Sequence, residues 1–158
     1  MLRWENAQNY LKSNNGLGKM ALIYLDTNIY IDHFRGRVDK LRPLGEFAFQ
    51  ILRRALECEF TIIFSSLVFD ELLYNTYEKE IKELVKSLND KNKIIIVAVS
   101  EEDRKRARSI SKERKTSFND TVHAVVAQRA KASVIVTRNL RDFEELQDII
   151  KVSLPEES

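Results

Sequence analysis

The sequence is poor in the residues that several kinds of functional site require. It has one cysteine, Cys58, and two histidines, His33 and His123. A single cysteine excludes a disulfide within the chain and a zinc site built from cysteines. Because Cys58 lies near the end of an apolar helical pattern, we expect it to pack inside the protein rather than to react.

Glycine is also scarce, with four residues in the chain. No P-loop and no G-x-G-x-x-G phosphate-binding loop is present, and the G-x-S-x-G elbow of many serine hydrolases is missing. The sequence therefore gives little support to a nucleotide-binding loop or to a Ser-His-Asp hydrolase.

Long apolar runs and a strong net charge are missing too. No run approaches the roughly 18 to 20 residues of a membrane-spanning helix, and the N-terminus lacks the basic-then-apolar layout of a secretory signal. We therefore expect a cytoplasmic protein with no membrane partner. The 26 basic residues nearly balance the 24 acidic ones, so the net charge of +2 does not by itself indicate nucleic-acid binding.

What remains is the composition of one globular α/β domain, with 158 residues, 44% of them hydrophobic and 32% charged. Short apolar segments alternate with helical patterns, which predicts a three-layer α/β/α fold with a central, mostly parallel sheet. One helix has an apolar stripe from Phe118 to Ala130, and another begins with a capping arrangement of Ser100 and Asp103. The predicted strands cover residues 21–25, 60–64, 94–99, 134–136 and, at an edge, 149–153. The predicted helices cover residues 27–34, 43–57, 67–89, 101–115 and 118–130.

The first residues differ from this pattern. Residues 1–20 end in a loop-like run with two of the four glycines, which predicts a weak helix on a flexible tether. We therefore predict an N-terminal extension over residues 1–20 and a domain over residues 21–154. Met20 precedes the first strand directly and is a second candidate start of translation.

Acidic side chains follow the predicted strands. Asp26 comes directly after the first strand, Glu71 lies one turn into the helix after the second, and Asp120 lies in the first turn of a late helix. Asn139 and Asp142 follow the last long strand. Ligands of open α/β sheets bind at this edge. Asp26 alone is equally well explained as a helix cap, but the set of partners favours a site.

Several carboxylates in one pocket raise one another's pKa unless a cation neutralises them. Mg²⁺ and Mn²⁺ prefer carboxylate and water oxygens, and such sites can activate water for phosphodiester hydrolysis. The sequence therefore predicts a Mg²⁺ or Mn²⁺ site that requires no histidine or thiol. His123 lies one helical turn after Asp120 and could reach this pocket, but we favour a structural or supporting role for it.

Four short motifs resemble those of PIN-domain ribonucleases, a family that includes the VapC-type toxins. Together the resemblance spans residues 21–153, and the order of the motifs at the strand ends makes it fairly specific. The motifs are residues 25–28 (LDTN), residues 65–72 with their Ser and Glu-Leu, residues 119–130 with Asn-Asp and an alanine-rich helix, and residues 136–143.

The resemblance implies a domain whose acidic pocket binds Mg²⁺ or Mn²⁺ and hydrolyses RNA. By position, Asp26, Glu71 and Asp120 match the three best-defined acidic positions of the family, which implies metal-binding and catalytic roles for them. Asn28 matches the polar residue that supports the first aspartate. Asp70, beside Glu71, is expected on the surface.

The fourth acidic position departs from the commonest pattern of the family. Many members place the acid directly after the Thr-Arg pair, where this chain has Asn139. Others have Asn there and an acid three residues later, so we assign Asp142 as the fourth catalytic and metal-binding carboxylate. Asn139 then serves as a neutral ligand or substrate contact. Ser65 and Thr137 could fix ligands or water, although such hydroxyls more often only satisfy backbone groups.

Basic residues cluster just before the helix that carries Asp120, and Arg138 and Arg141 flank the other side of the predicted pocket. Such residues can bind RNA phosphates, with Arg108 and Lys112 as the main candidates. Neighbouring acidic residues weaken the field, so a merely solvated helix face stays open as an alternative. The cluster consists of Arg104, Lys105, Arg106, Arg108, Lys112, Arg114 and Lys115.

The leading hypothesis is a metal-dependent endoribonuclease, a VapC-type toxin that forms a homodimer and is inhibited by a cognate antitoxin. An RNA-processing nuclease outside a toxin–antitoxin pair is an alternative. A catalytically weak PIN-like scaffold that binds RNA or protein is another, and Asn139 keeps it open. A phosphoacceptor receiver domain is disfavoured, because no lysine ends a late strand.

Overall fold

The computed structural model describes residues 20–36 and 41–158. The predicted N-terminal extension lies outside these residues except for Met20. The five strands are β1 (Leu22–Leu25), β2 (Thr61–Ser65), β3 (Ile94–Val97), β4 (Val134–Val136) and β5 (Val152–Ser153). The α-helices of the described part are α1 (Thr27–Arg35), α2 (Leu44–Leu56), α3 (Ser66–Tyr74), α4 (Glu78–Asp90), α5 (Glu101–Arg114) and α6 (Phe118–Arg129). Two 3₁₀ segments cover Leu140–Leu146 and Pro155–Glu157.

The strands form one parallel sheet in the order β3-β2-β1-β4-β5, which confirms the predicted α/β fold. Their apolar, β-branched residues suit strands that helices cover on both faces. Tyr24 of β1 pairs with Ile63 of β2 on one side and with Ile135 of β4 on the other. The C-terminal ends of these three strands therefore meet at the middle of one sheet edge, where the predicted acidic residues follow.

The start of α2 packs tightly against the end of α1. Gly36 ends α1 in the left-handed conformation, with a φ of 57°. A Cβ atom on Gly45 would lie 2.7 Å from the Cα atom of Gly36, so only glycine permits this approach. The contact fixes the direction in which the chain leaves the helix that follows Asp26.

The helical pattern over residues 67–89 forms two helices rather than the single one that the sequence predicts. Thr76 adopts a φ of 67°, and the Asn75 side chain donates a hydrogen bond of 2.7 Å to the Glu71 carbonyl. Tyr77 donates its backbone N–H to the Leu72 carbonyl at 3.0 Å. These bonds satisfy the free carbonyls at the end of α3 without a glycine. The second helix buries its own apolar stripe: Ile81, Val85 and Leu88.

Two expectations about packing are wrong. Cys58 is exposed, because α2 ends at Leu56 and Cys58 lies in the turn that follows, with a φ of 70°. Phe118, at the start of the predicted apolar stripe, is 39% exposed, whereas Val122 and Val126 are buried. The stripe thus reaches the core only after the first turn of α6.

The core lies on both sides of β1 and β2. Tyr24, Tyr30, Phe64 and Phe143 are the largest of its fully buried side chains. Within the described ranges, no helix combines the length and the apolar character needed to cross a membrane.

Candidate active site

Asp26 connects the end of β1 to the start of α1. Its backbone N–H donates to the Val136 carbonyl at 2.9 Å, which continues the pairing with β4. Its Oδ1 atom accepts the Thr27 N–H at 2.7 Å and caps α1. The carboxylate is 6% exposed. Asp26 therefore does cap the helix, and the same geometry holds its carboxylate at the centre of the sheet edge.

Two polar side chains hold the second oxygen of Asp26. Its Oδ2 atom accepts hydrogen bonds from the Thr137 hydroxyl at 2.8 Å and from the Asn28 amide at 3.1 Å. The Asn28 oxygen in turn accepts the Arg138 N–H at 3.3 Å. The Thr137 hydroxyl also accepts the Asn139 N–H at 3.1 Å. The loop after β4 is thus bonded to Asp26 through Asn28 and Thr137, two of the residues that the sequence predicts in supporting roles.

Glu71 of α3 meets a histidine of α6. The Oε1 atom of Glu71 lies 2.7 Å from Nε2 of His123, and the same nitrogen lies 3.7 Å from Oδ1 of Asp26. Burial lowers the pKa of His123, but the hydrogen bond to Glu71 and the charges of Asp26, Glu71 and Asp120 outweigh it, so the pKa is raised. The imidazole of His123 is therefore a partner of Glu71 and Asp26, two carboxylates that the sequence predicts around a metal ion.

Ser65 lies behind this contact. Its hydroxyl caps α3 by accepting the Val68 N–H at 3.2 Å, and it lies 2.7 Å from the Tyr24 hydroxyl. The Tyr24 hydroxyl is 2.6 Å from Nδ1 of His123. Ser65 thus satisfies a backbone group, as strand-end hydroxyls commonly do. Sequence reasoning missed Tyr24, because an apolar strand gives no signal for a buried hydroxyl.

Asp120 lies half-buried in the first turn of α6. Burial and the nearby charges of Asp26 and Asp142 raise the pKa of Asp120 to about 6, although the charge of His123 and the Ser117 hydrogen bond oppose this. A raised carboxyl pKa is typical of a pocket with excess negative charge. The charges of Asp26 and Asp142 therefore both act on Asp120.

Asn139 and Asp142, the two candidates for the fourth acidic position, are both exposed and lie at the start of the 3₁₀ segment. The Asp142 N–H donates to the Asn139 carbonyl at 3.1 Å. Asp142 acts on Asp120 through its charge, whereas the bond from Asn139 to Thr137 comes from its backbone N–H. Of the two residues, Asp142 is the one whose charge acts on the pocket, and its role as the fourth carboxylate stays a prediction.

The pocket offers a donor set for a hard cation but no complete cage. Among the residues described, no group of three or more His, Cys, Asp and Glu side chains is arranged to hold a metal ion. The donors are carboxylate oxygens, which suit Mg²⁺ or Mn²⁺. Burial and the charges of Asp26 and Asp142 raise the pKa of Asp120, and a cation bound beside it would favour the ionised carboxylate. Chemically the residues fit such an ion, and binding it requires that side chains rearrange or that water and substrate complete the shell.

The predicted basic residues fall into two groups. Nε of Arg138 lies 2.9 Å from Oδ2 of the buried Asp32, so this guanidinium is held by α1, while Arg141 is exposed. On α5, Arg108 and Lys112 line an open groove with Ser111 and Phe118. The Arg108 guanidinium lies 5.8 Å from the centre of the Phe118 ring.

The comparisons with known proteins agree with this architecture. The PIN domain model matches residues 23–149, so the chain belongs to the PIN-domain family, whose members are nucleases. No curated protein matches the chain.

Three solved structures are similar in fold. A toxin-antitoxin complex from Klebsiella pneumoniae has a TM-score of 0.56 and 24% identity over 87% of this chain and 99% of that chain. VapBC2 from Rickettsia felis, bound to a promoter DNA fragment, has a TM-score of 0.57 and 20% identity over 84% and 98%. FitAcB from Neisseria gonorrhoeae has a TM-score of 0.57 and 19% identity over 84% and 97%.

Proposed function

We propose that the protein is a metal-dependent endoribonuclease that hydrolyses RNA phosphodiester bonds with Mg²⁺ or Mn²⁺. The observation that carries the proposal is the convergence of acidic residues from separate elements. Asp26 is held at the sheet edge, Glu71 approaches it through His123, and the charge of Asp26 acts on Asp120. A helix-capping role for Asp26 alone would not require these partners.

The residues of the proposed site have three different roles. Asp26, Glu71, Asp120 and Asp142 would hold the metal, which would supply an activated water and stabilise the leaving oxygen. Asn28 and Thr137 fix the Asp26 carboxylate through the bonds to its Oδ2 atom. Asn139, exposed at the pocket rim, contacts the substrate or serves as a neutral ligand.

RNA approaches along α5. Arg104, Lys105 and Arg114 pair with carboxylates, namely Glu101, Glu102 and Asp148. Arg108 and Lys112 make no ion pair with any described residue and are exposed. Phe118 adds an exposed ring two residues before Asp120, and aromatic rings are favourable surfaces for base stacking. We therefore assign RNA phosphate contacts to Arg108 and Lys112 and to the exposed Arg141, whereas the guanidinium of Arg138 is held by Asp32.

The structural neighbours support a toxin role. Two of them come from complexes named as a toxin-antitoxin complex and VapBC2, and this chain covers 97% to 99% of the three chains. We propose a VapC-type toxin that acts in the cytoplasm, forms a homodimer and is inhibited by a cognate antitoxin. An overlapping small gene with a DNA-binding pattern next to this one would support the role, and its absence would favour an RNA-processing nuclease.

The test is cleavage of labelled RNA by the purified protein with EDTA, Mg²⁺ or Mn²⁺. Asp26→Asn should lower the rate by at least about 100-fold, because it removes a metal-binding charge. Asp70→Asn is the matched control, since Asp70 is exposed beside Glu71, and it should cleave like wild type.

Equal cleavage by wild type and Asp26→Asn would contradict the assignment of the site. If wild type with either metal cleaves none of the RNAs tried but binds them, the catalytically weak scaffold is the better description. Two observations favour that second candidate: Asn139 in place of an acid, and the absence of a preformed three-residue metal cage in the described ranges.

A further inference from the structure

His123 is a buried polar side chain to which the proposed mechanism gives no role. It is 1% exposed and lies on α6, three residues after Asp120. Both ring nitrogens have polar partners, Nε2 at 2.7 Å from Glu71 and Nδ1 at 2.6 Å from the Tyr24 hydroxyl. These two contacts satisfy the buried ring, and the one on Nε2 reaches a carboxylate of the proposed site.

The contacts form a continuous chain from the Val68 backbone to the Glu71 carboxylate. The Val68 backbone N–H can only donate, so it donates to the Ser65 hydroxyl. The Ser65 hydroxyl can then donate to Tyr24, and Tyr24 to Nδ1 of His123. In a neutral ring this arrangement leaves the proton on Nε2, where it is donated to the Glu71 carboxylate.

The hydrogen bond from Nε2 of His123 to Glu71 forms whether the imidazole is neutral or charged. A carboxylate can only accept, so Nε2 carries a proton in both the neutral and the charged imidazole. The fully buried Tyr24 hydroxyl can donate to Nδ1 of the neutral ring or accept from the Nδ1–H of the charged ring. Ser65 and Tyr24 are both 0% exposed, and water does not compete for these bonds.

We infer that His123 is a positioning residue for the proposed metal site: it holds the Glu71 carboxylate at the pocket, and Tyr24 and Ser65 hold its ring. The inference rests on the proposed function. Glu71 needs such support, because its side chain is 30% exposed on a short helix while that of His123 is 2% exposed. Partners that orient metal-binding carboxylates commonly change metal affinity about 10- to 100-fold when they are removed.

The chain contains a matched pair of tyrosines for the test. Tyr24 and Tyr30 are both fully buried, but the Tyr30 hydroxyl has no hydrogen-bond partner among the described residues. Tyr24→Phe should weaken Mn²⁺ binding about 10-fold, measured by isothermal titration of the full chain, whereas Tyr30→Phe should leave it unchanged. Excess Mn²⁺ should restore the cleavage rate of Tyr24→Phe, which a loss of folding would not allow.

Substitutions of the ring itself give a second comparison. His123→Leu should weaken Mn²⁺ binding more than His123→Gln, because glutamine keeps an N–H donor that can reach Glu71. NMR of the metal-free protein should show a protected Nε2–H proton of His123 that shifts in Tyr24→Phe and stays in Tyr30→Phe. If His123→Leu does not fold, Tyr24→Phe still carries the test, since a phenyl ring fits the same space.

Equal Mn²⁺ affinities for Tyr24→Phe, Tyr30→Phe and wild type would overturn the inference while leaving the proposed nuclease intact. A wild-type protein that neither binds Mn²⁺ nor cleaves RNA would overturn the proposed function, and the inference with it. The two failures are distinguishable, because the first appears only in the variants.

Discussion

Asp120 has an unfavourable charge in the metal-free protein. Burial and the charges of Asp26 and Asp142 raise its pKa from 3.8 to about 6. The folded protein therefore binds this proton more tightly than the unfolded chain does. The stabilisation that results is complete below the unfolded pKa and is lost as the pH rises through the folded pKa of about 6.

Asp120→Asn removes this cost, because asparagine keeps the shape without the charge. At about pH 7.5 in EDTA, the variant should be more stable than wild type by on the order of 1 to 2 kcal/mol, a value reduced for partial exposure. Near pH 4 the difference should close. Urea unfolding at both pH values measures it, and a variant that is less stable at both would contradict the excess of negative charge.

Bound metal should reverse the order of stability of wild type and the Asp120→Asn variant. Mn²⁺ should raise the unfolding midpoint of wild type and have a smaller effect on the Asp120→Asn variant, because ligands that bind the folded state stabilise it. The same side chain would then cost stability without metal and contribute stability with it, as expected for a functional residue.

At the scale of elements, α5 and α6 are joined by a buried carboxylate. Asp103 and Ser100 form a capping box at the start of α5, which confirms the predicted capping arrangement. Arg129, at the end of α6, donates to both oxygens of Asp103 at 2.8 and 2.7 Å and to the Ala98 carbonyl at 2.8 Å. The pKa of Asp103 is lowered, because these hydrogen bonds outweigh the opposing effect of burial.

Asp103→Asn should therefore act with the opposite sign to Asp120→Asn. It should destabilise the protein by about 2 kcal/mol near neutral pH, since it weakens a cap and charge-assisted hydrogen bonds. The stabilisation by Asp103 is present above its unfolded pKa and is lost as the pH falls through its lowered folded pKa. The same urea measurements apply, and equal signs for the two Asp→Asn variants would refute one of the two assignments.

At the scale of the whole molecule, the distribution of charge decides where RNA binds, since the net charge is only +2. Arg108 and Lys112 have no acidic partner among the described residues, whereas Arg104 and Lys105 on the same helix pair with Glu101 and Glu102. The two pairs of residues offer equal charge changes in different surroundings.

Arg108→Glu with Lys112→Glu should weaken RNA binding and flatten its dependence on salt by about 0.7 per lost phosphate contact. Arg104→Glu with Lys105→Glu should have a smaller effect. Fluorescence anisotropy in EDTA at several salt concentrations measures both without cleavage. Equal effects would mean that only the overall charge matters, and unchanged binding would remove this surface from the proposal.

The sequence alone determined most of the strands and helices and the end of the sheet where the site lies. Apolar β-branched runs predict four strand positions. Their alternation with helices predicts that the strands are parallel. Asp26, Glu71 and Asp120 could be named because each occupies a local position, a strand end or a first helical turn, that the sequence shows directly.

Only the tertiary structure decided which side chains meet. Tyr24 and His123 are 99 residues apart in sequence, and local patterns carry no information about such a contact. The same is true of Arg138, which sequence reasoning assigned to RNA and which lies against the buried Asp32, and of Phe118, whose helical stripe begins outside the core. Periodicity fixes the face of an element, but the partner on that face depends on how the sheet and its helices pack.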